Sequence, residues 1–279
     1  MTKFQLSDKQ IKDYRNDGYI IIPDLFTNPE ISKLYSVALE DDVISKNTYN
    51  MTDKEGKNSK LALWFTPGND IYGLLSRCER IVNTVDLLLD GTAPICHFHS
   101  KLMQKEPKVG GAWEWHQDYG YWYKNEFLFP DQMLSVMVAV TDATIENGCL
   151  QVIKGSHKMG RIEHGFSGDQ VGASQKYVDL ALKRMELVYV ELKAGDTLFF
   201  HSNLLHRSDA NTSDTSRWSL ISCYNRQSNP ATNLESTSCI TPLKTVEDEA
   251  LLNSAASGLA ADRDFLSSET DKSLKENSK

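Results

Sequence analysis

From about Ala93 to Asn225 the chain breaks into short β-rich runs punctuated by turn residues, and this rhythm constrains its fold more than any other feature. The runs are Ile95–Gln104, Trp113–Tyr119, Met133–Val140, Cys149–Ile153, Leu187–Val190, Thr197–His201 and Trp218–Tyr224. Asn147-Gly148, Gly155-Ser156 and Ala194-Gly195-Asp196 supply the turns between them. Strands this short cannot bury a face alone, so several must pair into sheets that stack or close. A barrel or a double-sheet jelly roll is expected, and no solenoid repeat is visible.

Helices precede this β-core. Ser7-Asp8-Lys9-Gln10 has the form of a capping box, Ile11 and Tyr14 follow at helical spacing, and Gly18 fits a helix end. Tyr19–Ile22 reads as a strand stopped by Pro23, and a second helix is predicted from Asn28-Pro29 toward Glu40. Ile44–Asn69 is polar and predicted irregular, whereas Tyr72–Leu89 carries Leu74, Leu75, Ile81, Val82 and Val85 on recurring helical faces. The expected fold is mainly β with flanking helices: one domain over residues 1–265, its β-core at about 93–225. Residues 266–279, rich in Ser, Lys and Glu, read as a disordered tail.

Charge and composition narrow the function. A net charge of −8 weighs against nucleic acid, which needs a basic face. The longest apolar runs fall far short of the roughly 18 residues of a membrane span, and the amino terminus lacks the apolar core of a signal peptide. A cytoplasmic protein acting on a small molecule is expected. Five scattered cysteines without C-x-x-C spacing argue against a disulfide framework and a structural zinc site. Nothing marks a coiled coil, and a monomer is compatible with the acidic surface. Lys101, Lys105 and Lys108 form a local cationic cluster suited to a small anion, although Lys105 and Lys108 read equally well as solvated loop lysines.

The stretch Trp113-Glu114-Trp115-His116-Gln117-Asp118-Tyr119-Gly120-Tyr121-Trp122 places a His and an Asp two apart among aromatics. On a strand, positions i and i+2 share a face, so His116 and Asp118 project together and Gln117 turns away. A third ligand would complete a 2-His-1-carboxylate set, which leaves open positions on iron(II). His157, His164, His201 and His206 are candidates, and the spacing to Arg217 favours His206 over its rival His201. Arg217 and Ser219 share a strand face, a guanidinium fork and a hydroxyl suited to a carboxylate. Trp113 and Trp115 read as core. Gly120 is expected to break the strand, so that Tyr121 and Trp122 turn over the site toward substrate.

Asp17-Gly18-Tyr19-Ile20-Ile21-Ile22-Pro23, the H-x-D stretch, Asn147-Gly148-Cys149-Leu150, Gly155-Ser156-His157-Lys158 and His206–Ser219 together carry a family resemblance. Over about Leu6–Asn225 the sequence resembles the phytanoyl-CoA dioxygenase family of iron(II)- and 2-oxoglutarate-dependent oxygenases, especially its ectoine-hydroxylase branch. The resemblance implies a double-stranded β-helix core of the cupin type. It implies that His116, Asp118 and His206 bind iron, and that Arg217 with Ser219 holds the distal carboxylate of 2-oxoglutarate. Lys101 would touch the co-substrate, Met137 would pack against it, and Trp122 would contact substrate. With O2, such a site couples decarboxylation of 2-oxoglutarate to succinate with hydroxylation of an aliphatic carbon. Asp118 stands where related halogenases carry a small residue, which favours hydroxylation. The alternatives are an inactive cupin-like binding protein, and a zinc hydrolase, which would leave Arg217 and Ser219 without a role.

Overall fold

The computed structural model describes residues 4–167, 170–232, 234, 236–255 and 257–266. Its first part runs α1 (Asp8–Asp17), β1 (Tyr19–Ile22), α2 (Asn28–Glu40), α3 (Asp42–Asn47), β2 (Tyr49–Thr52), β3 (Asn58–Trp64), α4 (Ile71–Arg77) and α5 (Glu79–Leu88). The core follows with β4 (Ile95–Lys105), β5 (Trp113–His116), α6 (Asp118–Trp122), β6 (Met133–Ala139) and β7 (Leu150–Ile153). Then come β8 (His164–Ser167), β9 (Gln170–Ala173), α7 (Gln175–Leu182), β10 (Leu187–Val190) and β11 (Thr197–His201). β12 (His206–Ser208), β13 (Arg217–Arg226) and α8 (Ala250–Asn253) complete the order.

Two antiparallel sheets form the body. The larger has the order β1-β11-β6-β13-β4-β3-β2 and the smaller β10-β7-β12-β5, with β8 and β9 a separate hairpin. Alternation decides what each sheet face covers. On β6, Val136 and Val138 pack with helix residues such as Leu34, Ile81 and Val85. Met137 and Ala139 face the other way, meeting Leu150 and Val152 of the smaller sheet. The large sheet is thus sandwiched between a helical layer and the small sheet. Its central strands are buried on both faces: β6 reads as an apolar run broken only by Ser135, whereas β13 is buried throughout although it carries Arg217, Ser219, Ser222, Asn225 and Arg226. This is the double-stranded β-helix, or jelly roll, that was expected.

The expected caps are present. Ser7 and Gln10 form the reciprocal box, and Gly18, at φ +83°, ends α1 with its N–H on the Tyr14 carbonyl. Two expectations need correction. Ile44–Asn69 is largely regular, holding most of α3 and the β2–β3 hairpin; the Asp53 carboxylate accepts the N–H groups of Glu55 and Lys57 and shapes the hairpin's turn. The single helix at Tyr72–Leu89 is split at Cys78, because Val246 donates to the Arg77 carbonyl and accepts from the Glu79 N–H. Leu266, placed in the tail, donates its N–H to the Leu63 carbonyl at 2.9 Å. The rest of the expected tail lies outside the described residues.

Candidate metal centre and co-substrate pocket

β5 and β12 pair so that His116 lies directly opposite His206, with their rings 4.0 Å apart. Strand β5 ends at His116. Gln117 keeps extended geometry, at φ −112° and ψ 135°, and Asp118 opens helix α6 rather than continuing the strand. The extended Gln117 is enough to return Asp118 to the face of His116. Oδ1 of Asp118 lies 3.9 Å from Nε2 of His116 and 3.8 Å from Nε2 of His206. Among the described residues these three form the one group of ligand atoms able to share an ion, and all three are buried.

The ligand states are prepared by neighbours. Nδ1 of His116 faces the Glu114 carbonyl at 2.7 Å, and Nδ1 of His206 faces the Leu204 carbonyl at 2.9 Å. A carbonyl only accepts, so Nδ1 carries the proton and Nε2 offers its lone pair inward. Burial, reinforced by His206, holds His116 well below the ordinary histidine range, and burial lowers His206 as well. Burial pushes Asp118 upward, but Lys101, His206 and the Ser135 hydroxyl outweigh it and keep the carboxyl below its usual range. Two neutral imidazoles and one carboxylate, dry and converging, fit a mononuclear iron(II) centre.

Gln117 turns away, as its parity predicts. Its side chain donates to the carbonyls of Gly160 and Asn203 and accepts from the Ile162 N–H. His164, expected on a loop, starts β8, and its Nε2 accepts the Gln117 N–H at 2.9 Å. It therefore fixes the peptide between two ligands. His201 is engaged elsewhere, with Nε2 on Asp131 at 3.0 Å and Nδ1 accepting from the Asn203 N–H. His157 sits at the rim, near the Arg15 carbonyl.

Arg217, Ser219 and Ile221 point from β13 into the space between the sheets, as do Lys101, Met103 and Lys105 from β4. Arg217 is buried, and burial lowers it to about 10, which leaves it charged at neutral pH. One guanidinium nitrogen donates to the Gly148 carbonyl, while Nε of Arg217 and the hydroxyl of Ser219 are buried without a partner. Orphaned donors on one strand face are what an absent carboxylate would satisfy. Lys101 lies opposite Ile221, and Met137 packs opposite the same residue on the other side. Of the remaining cluster, Lys108 is the solvated lysine expected, paired with Asp214, whereas Lys105 is fully buried.

The aromatics divide. Trp115 packs with Ile153 and Leu205 away from the metal ligands. Trp113 does not share its face: three residues of β5 span two of β12 between the Trp113–Ser208 and His116–His206 pairs. The extra residue flips the phase, and the Trp113 ring lies 6.2 Å from His116. Tyr121 stands edge-on to His116 at 5.5 Å and donates its hydroxyl to the Val171 carbonyl. Trp122 is buried edge-on against Phe98 and His99. Ser135 went unread in the sequence; a lone hydroxyl in the apolar run Met133–Val140 was the available signal.

Two histidines and a carboxylate inside a double-stranded β-helix define the class of mononuclear non-haem iron oxygenases. The sequence profile of phytanoyl-CoA dioxygenase (PhyH) matches residues 14–219, and the chain belongs to that family. L-proline trans-4-hydroxylase of Streptomyces griseoviridis is 27% identical over 241 residues, covering 80% of this chain and 88% of that protein. Ectoine dioxygenase of Bordetella parapertussis is 24% identical over 239 residues, covering 80% and 77%. The crystal structure of EctD from S. alaskensis with 2-oxoglutarate and 5-hydroxyectoine superposes with a TM-score of 0.65 at 21% identity, covering 92% of this chain and 86% of that one. No helix among the described residues is long and apolar enough to cross a membrane.

Proposed function

We propose that this chain is an iron(II)- and 2-oxoglutarate-dependent dioxygenase that hydroxylates an aliphatic carbon of a small metabolite. One catalytic domain over residues 1–265 would carry the activity. The observation that carries the reading is that unpartnered Arg217 Nε and Ser219 Oγ face the space between the sheets from the large sheet, opposite the small sheet whose strands carry His116 and His206. A zinc hydrolase has no use for that pair.

When bound, iron would activate O2, the oxidant, with two electrons supplied by 2-oxoglutarate as it is decarboxylated to succinate and carbon dioxide and two by the C–H bond that is hydroxylated. The chain supplies position and exclusion of water. His116, Asp118 and His206 would hold the metal. Arg217 and Ser219 bind the distal carboxylate and so fix the direction in which the 2-oxo acid lies. Lys101, whose charge already acts on Asp118, offsets negative charge brought in by the co-substrate. Met137, on the other side of Ile221 from Lys101, would pack against the co-substrate, and Tyr121 braces the His116 ring. Trp122, with Phe98 and His99, forms an aromatic wall for substrate. Cation–π attraction would suit such a wall to a cationic or zwitterionic metabolite. The cytoplasm is the compartment we assign, since all five cysteines are free.

The test is an anaerobic titration with iron(II) and then 2-oxoglutarate, followed by visible absorption. A charge-transfer band lost in His116→Ala and weakened in Arg217→Ala supports the reading. Folded, iron-loaded protein that gives no band would move the chain to the inactive binding proteins.

A further inference from the structure

Lys105 has no exposed surface, and it lies directly across from Arg217 in the β4–β13 ladder, so the two side chains leave the same face. Their tips are brought together by two backbone carbonyls. Nζ of Lys105 donates to the Asp209 carbonyl at 2.5 Å, and Arg217 donates to the Gly148 carbonyl. Gly148, at φ +79°, rests directly on Asp209: a Cβ there would lie 2.3 Å from the Asp209 oxygen. Only glycine permits that approach, which gives the Asn147-Gly148 turn a part in placing the two basic side chains.

The carboxylates that act on Lys105 are committed elsewhere. Asp209 bonds to Gln151 and pairs with Arg207, and Asp53 accepts the N–H groups of Glu55, Lys57 and Ala112. Two basic side chains are thus buried side by side, each held by a backbone carbonyl, and spare donors remain on both. Such an arrangement is costly until an anion arrives.

We propose that Lys105 and Arg217 form a two-cation clamp on the distal carboxylate of the bound 2-oxo acid. The inference rests on the co-substrate reading above. Burial, then Arg217, holds the Lys105 amine well below the ordinary lysine range, with Asp209, Asp53 and Cys149 acting in the opposite direction. The dianion reverses that balance, so Lys105 takes up a proton from solvent as 2-oxoglutarate enters.

Anaerobic, iron(II)-loaded protein titrated calorimetrically with 2-oxoglutarate in two buffers of different ionisation enthalpy measures both affinity and protons taken up. Wild type is expected to take up a fraction of a proton or more. Lys105→Met is expected to lose that uptake and to bind about tenfold more weakly or worse. Its apo melting temperature should be unchanged or higher, because an apolar side chain replaces a buried amine. A lysine that only anchors the Asp209 carbonyl predicts the opposite pattern: a less stable apo variant with unchanged affinity, which overturns the clamp. If Lys105→Met does not fold, the wild-type proton count decides, and no uptake overturns it. Wild type that binds no 2-oxoglutarate refutes the co-substrate reading itself.

Discussion

The hydroxyl of Ser135 donates to Oδ2 of Asp118 at 2.5 Å, leaving Oδ1 as the oxygen turned toward Nε2 of His116 and Nε2 of His206. One carboxylate oxygen is held by the protein and the other is offered to the metal. Supporting bonds of this kind typically contribute about 10–100-fold in metal affinity. Ser135→Ala should therefore weaken iron(II) binding by about that factor, measured by competition with a coloured chelator. A dissociation constant within twofold of wild type would remove Ser135 from this role.

That bond also marks where the sequence stops being informative. His116, Asp118, Arg217 and Ser219 could be read locally, because strand parity couples i to i+2 whatever the tertiary structure. Asp118 keeps the face of His116 through the change from strand to helix only because Gln117 stays extended. Trp113 leaves the face of Trp115, because the phase there depends on a bulge set by the partner strand. The break at Cys78 was equally hidden, since Val246, far along the chain, causes it. Lys105 read equally well as part of an anion-binding cluster and as a solvated loop lysine, and only the strand pairing that sets it across from Arg217 buries it. Local chemistry is written in the sequence; contacts across the sheets are not.

Acid should destabilise the apo protein well before its carboxylates titrate. Burial holds His97 and His164 down to about 4 each, against roughly 6.5 in an unfolded chain. Above about pH 6.5 both states are neutral and nothing is gained or lost. Below it the unfolded chain binds protons that the fold refuses. Stability then falls by up to about 1.4 kcal/mol per pH unit for each such histidine, until pH passes the folded value. Asp118, with its lowered pKa, loses its contribution only below the ordinary carboxylate range, so it does not offset this loss. Melting curves of apo protein from pH 7.5 to 5 should show a steady decline, and a flat profile would contradict the burial of these rings.

Trp122 combines packing with its proposed substrate contact, and two substitutions separate them. Its ring lies 5.5 Å from Phe98 and 5.8 Å from His99, both edge-on. Trp122→Ala leaves a cavity there and should cost about 3–5 kcal/mol, enough to lower the melting temperature sharply. Trp122→Phe keeps an aromatic edge and should fold. If Trp122→Phe melts near wild type yet loses most substrate-stimulated succinate release, the contact is supported. Unchanged stimulation would leave Trp122 a core residue.

Gly120 is the position where the smallest change should reach the metal. A Cβ on it would lie 2.2 Å from Nε2 and from Cε1 of His164. That ring cannot simply swing aside, because Nδ1 is bound to the Ile162 carbonyl at 2.7 Å and Nε2 to the Gln117 N–H. Gly120→Ala must therefore break one of these bonds or displace α6, whose first residue is the ligand Asp118. Overpacking of this kind costs about 1–3 kcal/mol. Displacing the peptide between His116 and Asp118 should weaken iron(II) binding beyond what the stability loss explains. The double variant Gly120→Ala/His164→Ala removes the clash and tests the route. Recovery of iron affinity relative to Gly120→Ala alone would place the defect at His164. No recovery would place it in the backbone of α6.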